Sequence, residues 1–136
     1  MGILEVIVLD THAWIWWVAD PASLSRRART AIDQAARLQR LYISCISVWE
    51  VAMLVARGRL KLTTGVDDWI AASEALLALT FVPVDTRIAL RSVQLPAPLH
   101  QDPADRMIVA TTLVLGARLV SRDERMHAYP HVHAVW

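Results

Sequence analysis

Three or four acidic residues stand where the sequence pattern changes from strand to helix. Asp10 ends the apolar stretch VIVLD, and Glu50 lies one turn into the helix that follows the second strand. Asp105 lies in the first turn of a helix that begins with a proline, and Asp123 follows a later strand. Because ligands of open α/β sheets bind beyond the carboxyl ends of the strands, we expect these side chains to converge on one edge of a sheet.

Carboxylates that converge repel one another and are hard to keep ionised without a cation. Hard oxygen ligands select Mg²⁺ or Mn²⁺. Such an ion keeps several bound waters, contacts substrate phosphate and can activate water for in-line attack. The pattern therefore predicts metal-dependent phosphodiester hydrolysis, with Asp10, Glu50, Asp105 and Asp123 as metal ligands and catalytic residues.

The elements that position these acids alternate between short apolar strands and helices. We expect strands at 3–9, 41–44, 81–84 and 117–120, with a last short edge strand at 132–135. Helices are expected at 11–18, 25–41, 47–56, 66–79, 86–93 and 103–115. This order predicts an α/β fold, a three-layer sandwich around a mainly parallel central sheet, in one domain over residues 1–136.

The composition is unusually apolar, with 55% hydrophobic residues among 136. The longest apolar run, residues 107–117, is too short for a membrane span, which needs roughly 20 residues. No signal-peptide pattern precedes Asp10, and the single cysteine, Cys45, suits a reducing compartment, so we expect a cytoplasmic protein. The apolar excess then predicts a buried protein interface, to which the tryptophans contribute: Trp14, Trp16 and Trp17.

The net charge is only +1, but Lys61 is the sole lysine and every other basic residue is arginine. Arginine suits bidentate contacts with phosphate, which is a weak indication of nucleic acid. Three neighbouring arginines are open to two interpretations, a solvated face or an RNA contact: Arg26, Arg27 and Arg29.

Four segments, LDTHAWIW, SVWEVAMLVARGRL, HQDPADRMIVAT and VSRDERM, occur in the order seen in PIN-domain ribonucleases. The sequence most resembles the VapC-type toxins of that family, and the resemblance covers the whole chain. It implies an Mg²⁺- or Mn²⁺-dependent endoribonuclease that leaves 5′-phosphate and 3′-hydroxyl ends. It also implies a homodimer, a small antitoxin partner that docks near the first helices, and family acidic positions at Asp10, Glu50, Asp105 and Asp123.

Each acid also has a structural interpretation. Asp10 can cap a helix, Glu50 can form a capping box with Ser47, and Asp105 can be a first-turn charge. Asp123 can belong to an ordinary surface loop. A second hypothesis follows, in which the chain is a non-catalytic RNA- or protein-binding module with a PIN-like fold.

Other polar residues near the four acids have two possible roles. Asp102, just before Pro103, suits a helix N-cap but could hold a water near the metal, whereas Asp85 is expected only to cap a helix. Thr11 and Ser121 could bond a metal ligand, a phosphate or the backbone, and Arg106 could meet phosphate or pair with an acid.

The histidines lack regular metal-ligand spacing except for the last two, whose alternation fits a strand edge. We therefore expect no zinc site among them: His12, His100, His127, His131 and His133.

Overall fold

The computed structural model describes residues 5–136, which form five parallel strands in the order β3-β2-β1-β4-β5. The strands are β1 (Ile7–Leu9), β2 (Leu41–Ser44), β3 (Leu79–Val82), β4 (Arg118–Val120) and β5 (Ala134–Val135). The predicted α/β fold is confirmed, including the edge strand at the C-terminus, and every strand pair is parallel. The predicted start of the first strand, at residue 3, lies outside the described residues.

Within residues 5–136, seven α-helices connect and cover the strands. They are α1 (Thr11–Ala19), α2 (Arg26–Arg37), α3 (Ile46–Ala56), α4 (Val66–Glu74), α5 (Thr86–Val93), α6 (Pro103–Val114) and α7 (Glu124–Ala128), with a 3₁₀ turn at Pro21–Ser23. Within the described part of the chain, none of these helices is long and apolar enough to cross a membrane.

The central strand β1 is buried on both faces, which is why its residues are all apolar. Ile7 and Leu9 pack into a cluster with Trp14, which is fully buried. Val8 points to the opposite face and packs with Ile108 of α6. Two hydrophobic layers therefore sandwich the sheet, as the three-layer prediction requires.

The register of the sheet aligns the carboxyl ends of its central strands. Leu9 pairs with Ile43 on one side and with Val120 on the other. Asp10 therefore leaves the sheet beside the last residue of β2 and the residue that follows β4. Every helix or loop that starts at these ends begins close to Asp10.

Several predicted boundaries were wrong, each for a local reason. Helix α2 ends at Arg37, and the chain turns through Gln39, whose φ is 55°, before β2 begins. Strand β3 starts at Leu79, which the sequence pattern had assigned to the preceding helix, because Leu79 pairs with Leu41 of β2. It stops before Pro83, which has no N–H to donate to a neighbouring strand.

The predicted cap at Asp85 is confirmed, since its Oδ1 accepts a hydrogen bond from Ile88 N at 2.9 Å. We expect Asp85→Ala to lower the free energy of unfolding by about 1 kcal/mol, measured by urea denaturation. Asp85→Asn keeps a side-chain carbonyl acceptor and should unfold at nearly the wild-type urea concentration. An alanine variant as stable as wild type would contradict the capping role.

Candidate active site

One cavity of about 540 Å³ opens at the carboxyl edge of the sheet, beside the ends of β1 and β4. All four predicted acids line it, together with Asp102, and the four come from four different helices or helix starts. The remaining lining residues are Thr11, His12, Trp16, Arg122 and Arg125. The predicted convergence therefore occurs in the folded chain.

Asp10 combines two structural roles. It is the N-cap of α1, where its Oδ1 accepts a hydrogen bond from Ala13 N at 2.9 Å. Burial raises the pKa of its carboxyl, and the nearby charge of Asp105 raises it further. A second carboxylate oxygen is not used by the cap, so the capping role leaves Asp10 able to bind a cation.

Glu50 lies on α3 and accepts a hydrogen bond from the Thr11 hydroxyl, which also lies 2.8 Å from Ser47 Oγ. The predicted capping box with Ser47 is wrong, because α3 starts earlier and its N-cap is Cys45. Burial, followed by the charges of neighbouring acids, raises the pKa of Glu50 to about 7. Glu50 is therefore directed at the cavity and away from the start of its own helix.

Asp105 lies in the first turn of α6 and contacts a histidine. Its Oδ2 lies 2.7 Å from His100 Nε2, and its backbone N–H donates to Asp102 Oδ1 at 3.0 Å. The predicted N-cap at Asp102 is thereby confirmed. Burial raises the pKa of Asp105, while the hydrogen bond from His100 acts in the opposite direction.

Asp123 begins α7, so the stretch that could have been an ordinary loop starts a helix. Its Oδ1 accepts from Arg125 N at 2.9 Å, and its Oδ2 lies 2.8 Å from Arg125 Nη2. Hydrogen bonds from the Arg125 side chain lower the pKa of Asp123. Ser121, which is buried, accepts a hydrogen bond from the Asp123 backbone N–H at 3.0 Å.

His100 is the site residue that the sequence pattern did not identify. Its Nδ1 is buried and has no hydrogen-bond partner among residues 5–136. The neutral tautomer with the proton on Nε2 fits this environment, because Nε2 can then donate to Asp105 while Nδ1 carries no unpaired N–H. The only sequence signal was the proximity of His100 to Asp105, five residues later.

Arg106 holds the segment that carries His100. Its guanidinium donates to three backbone carbonyl oxygens: Ser92 at 2.9 Å, Leu99 at 3.2 Å and His100 at 3.3 Å. Among residues 5–136, Arg106 forms no ion pair with the acids, and its contact with phosphate stays a prediction. Arg106, which lies on α6, thus fixes the position of His100 beside Asp105.

The donor set fits a hard divalent cation. His100, Asp105 and Asp123 each offer one potential ligand atom, and these three atoms lie within 4.8 Å of one another. Asp10 and Glu50 line the same cavity, and burial makes the charged form of both carboxyls costly. A bound cation would offset this cost, and carboxylate oxygens are the ligands that Mg²⁺ and Mn²⁺ prefer.

Comparison with known proteins identifies the class to which this fold and site belong. Residues 7–132 match the PIN domain family, which covers most of the chain. The chain belongs to the PIN-domain family, and the resemblance seen in the sequence is confirmed. Ribonuclease VapC22 of Mycobacterium tuberculosis is 34% identical over 135 residues, or 98% of this chain and all of that protein.

Solved structures share the fold. A VapBC2 complex from Rickettsia felis, bound to a promoter DNA fragment, gives a TM-score of 0.71 at 13% identity, covering 96% of this chain and 97% of that one. FitAcB from Neisseria gonorrhoeae gives 0.64 at 20% identity, covering 95% and 96%. A toxin-antitoxin complex from Klebsiella pneumoniae gives 0.61 at 22% identity, covering 93% and 94%.

Glu50→Gln should stabilise the metal-free protein at alkaline pH. The folded-state pKa of Glu50, about 7, lies above the ordinary glutamate value of 4.5, so its contribution to stability is full below pH 4.5 and is lost as pH rises through 7. At pH 8 we expect a gain of about 1–3 kcal/mol in the free energy of unfolding, which disappears near pH 4.5.

Urea denaturation at the two pH values measures this difference, with Glu74→Gln as the control because Glu74 is exposed at the end of α4. Equal stability of wild type and Glu50→Gln at pH 8 would contradict the electrostatic cost assigned to the cavity.

His100→Ala should weaken Mn²⁺ binding about tenfold, because Asp105 loses the hydrogen bond that orients it. His100→Gln can place an amide N–H near the position of Nε2 and should restore most of the affinity. Isothermal titration calorimetry measures both, with His133→Ala as the exposed histidine control. Equal losses in the alanine and glutamine variants would exclude the donor role of His100.

Proposed function

We propose that this chain is a metal-dependent endoribonuclease, the toxin of a toxin–antitoxin pair, and that it acts in the cytoplasm as a single nuclease domain over residues 1–136. The observation that carries the proposal is the convergence of four carboxylates, from separate parts of the sequence, on one cavity at the carboxyl edge of the sheet. The curated relative, a ribonuclease matched over its full length, supports the same activity.

The residues proposed to hold Mg²⁺ or Mn²⁺ are Asp10, Glu50, Asp105 and Asp123. A bound divalent ion would supply Lewis-acid activation of water and charge neutralisation at the scissile phosphate. His100 orients Asp105, and the Thr11 hydroxyl orients Glu50 by donating a hydrogen bond to Oε1. These contacts keep the carboxylates fixed although they repel one another.

Glu50 is the proposed proton acceptor for the attacking water. A general base must lie within hydrogen-bond reach of the attacking water, and Glu50 lines the cavity in which that water would bind. Its hydrogen bond to Thr11 leaves the second carboxylate oxygen available to water. The helix N-termini at Asp10 and Asp123 add positive potential next to the acids, which favours an anionic substrate.

A small antitoxin is the proposed protein partner. The similar Klebsiella pneumoniae structure is a toxin–antitoxin complex, and this chain offers apolar surface near its first helices. Trp49 on α3 is 52% exposed, and Val18 on α1 is 37% exposed. Trp16, also on α1, lines the acidic cavity, so a partner bound there would lie beside the site. We also propose a homodimer, as the resemblance implies.

The alternative of a non-catalytic binding module is less well supported. Acids that only cap helices do not need to lie close together. In this structure, however, Asp10, Glu50 and Asp105 are buried in one region, and burial raises the pKa of each. Retaining several buried acids beside one another costs stability, and that cost is expected where function requires it.

We expect Asp10→Asn and Asp105→Asn each to reduce RNA cleavage at least about a thousandfold in Mn²⁺ or Mg²⁺ buffer, because each removes ligand charge. Asparagine caps helices as well as aspartate does, so the fold should persist. Cleavage of total bacterial RNA, followed by mapping of the new ends, measures the activity.

Asp85→Asn is the matched control, since Asp85 is followed by threonine and caps a helix as Asp10 does, but is not among the residues that line the acidic cavity. This variant should cut as wild type does. Full cleavage by folded Asp10→Asn and Asp105→Asn would refute the assignment of the metal site.

A further inference from the structure

Arg125 forms ion pairs with two of the acids proposed to hold the cation. Its Nη2 lies 2.8 Å from Asp123 Oδ2, and its Nε lies 3.2 Å from Asp123 Oδ1. The same Nη2 lies 3.6 Å from Asp105 Oδ2. The guanidinium therefore stands between two carboxylates from different segments of the chain.

The same two carboxylates belong to the group with metal-binding geometry. Ligand atoms of His100, Asp105 and Asp123 lie within 4.8 Å of one another. Divalent cations such as Mg²⁺ prefer carboxylate oxygens, and Asp105 and Asp123 each supply one in this group. A guanidinium paired with these oxygens competes with a cation for their lone pairs and repels it.

Arg125 can leave this position without disturbing the core. Its side chain is 60% exposed, and exposed ion pairs are individually weak. The residue also lines a second cavity, of about 570 Å³, whose walls include Leu99, Gln101 and Tyr129. The guanidinium thus lies at the boundary between the acidic cavity and a neighbouring one.

We propose that Arg125 is a counter-ion that pairs with Asp123 and Asp105 in the metal-free protein, releases them when a divalent cation binds, and then contacts the RNA phosphate. This inference rests on the proposed function. If Asp123 and Asp105 held a cation, its charge would repel the Arg125 guanidinium, and the phosphate backbone would be the stronger partner for Arg125. Arginine suits this exchange because its planar fork pairs bidentately with carboxylate and with phosphate.

The proposal predicts two opposite effects of one substitution. Arg125→Ala should tighten Mn²⁺ binding about tenfold, because a positive charge next to the ion is removed. The same variant should weaken binding of RNA about three- to fivefold, because a phosphate contact is lost. Arg125→Lys keeps the charge without the bidentate geometry and should give intermediate values for both.

Arg122→Ala is the matched control. Arg122 lines the same cavity, but none of the described carboxylates forms an ion pair with it. Its removal should change the Mn²⁺ affinity by less than about twofold. Circular dichroism checks the fold of each variant, and the cap at Asp123 uses the backbone N–H of residue 125, which alanine retains.

Calorimetric titration with Mn²⁺ measures the first effect. Fluorescence anisotropy of a short labelled RNA of random sequence, in Ca²⁺ buffer with RNA integrity verified on a gel, measures the second. Unchanged or weaker Mn²⁺ binding by Arg125→Ala, an equal gain in Arg122→Ala, or unchanged RNA binding would overturn the role of Arg125. A wild-type protein that binds no Mn²⁺ would instead refute the metal site itself, and with it the proposed function.

Discussion

The parallel register of the central strands is the constraint on which the rest of the site depends. Because Leu9 pairs with both Ile43 and Val120, Asp10 leaves the sheet next to the ends of β2 and β4. The helices that start there bring their own acids to the same edge. The resulting repulsion and burial raise the pKa values of Asp10 and Glu50. The fold therefore holds a concentration of negative charge that a cation would stabilise.

Helix capping and metal binding are compatible roles in this arrangement. Asp10 and Asp123 are N-caps, and Asp105 lies in a first helical turn, so all three sit where a helix presents unpaired N–H groups and positive potential. A cap uses one carboxylate oxygen, so the second oxygen of Asp10 lies outside its cap, and the second oxygen of Asp123 pairs with Arg125. The helix termini thus lower the cost of gathering the acids, and Arg125 neutralises part of the remaining charge in the metal-free protein.

The strand and helix order and the four acidic residues could be predicted from the sequence. The patterns that mark strand ends and helix starts are both local. Apolar strands followed by polar residues mark the carboxyl edge of a parallel sheet, and Asp10, Glu50 and Asp123 follow that rule, whereas Asp105 follows a loop and begins a helix. His100 was missed because its position depends on Arg106, which holds the preceding segment through backbone carbonyls that no pattern reveals. The capping box at Ser47 failed because the long-range contact of Glu50 with Thr11 outweighs local spacing.

The most direct test of the account is a calorimetric titration of Mn²⁺ at pH 7.5 into wild-type protein, Asp10→Asn and Asp85→Asn, each shown to be folded. We expect binding by the wild type and by Asp85→Asn, and none by Asp10→Asn. Asparagine caps a helix as well as aspartate does, so only a role as metal ligand would make Asp10 respond differently from Asp85. Equal binding by all three proteins would contradict the claim that Asp10 ends its strand in order to hold a metal ion.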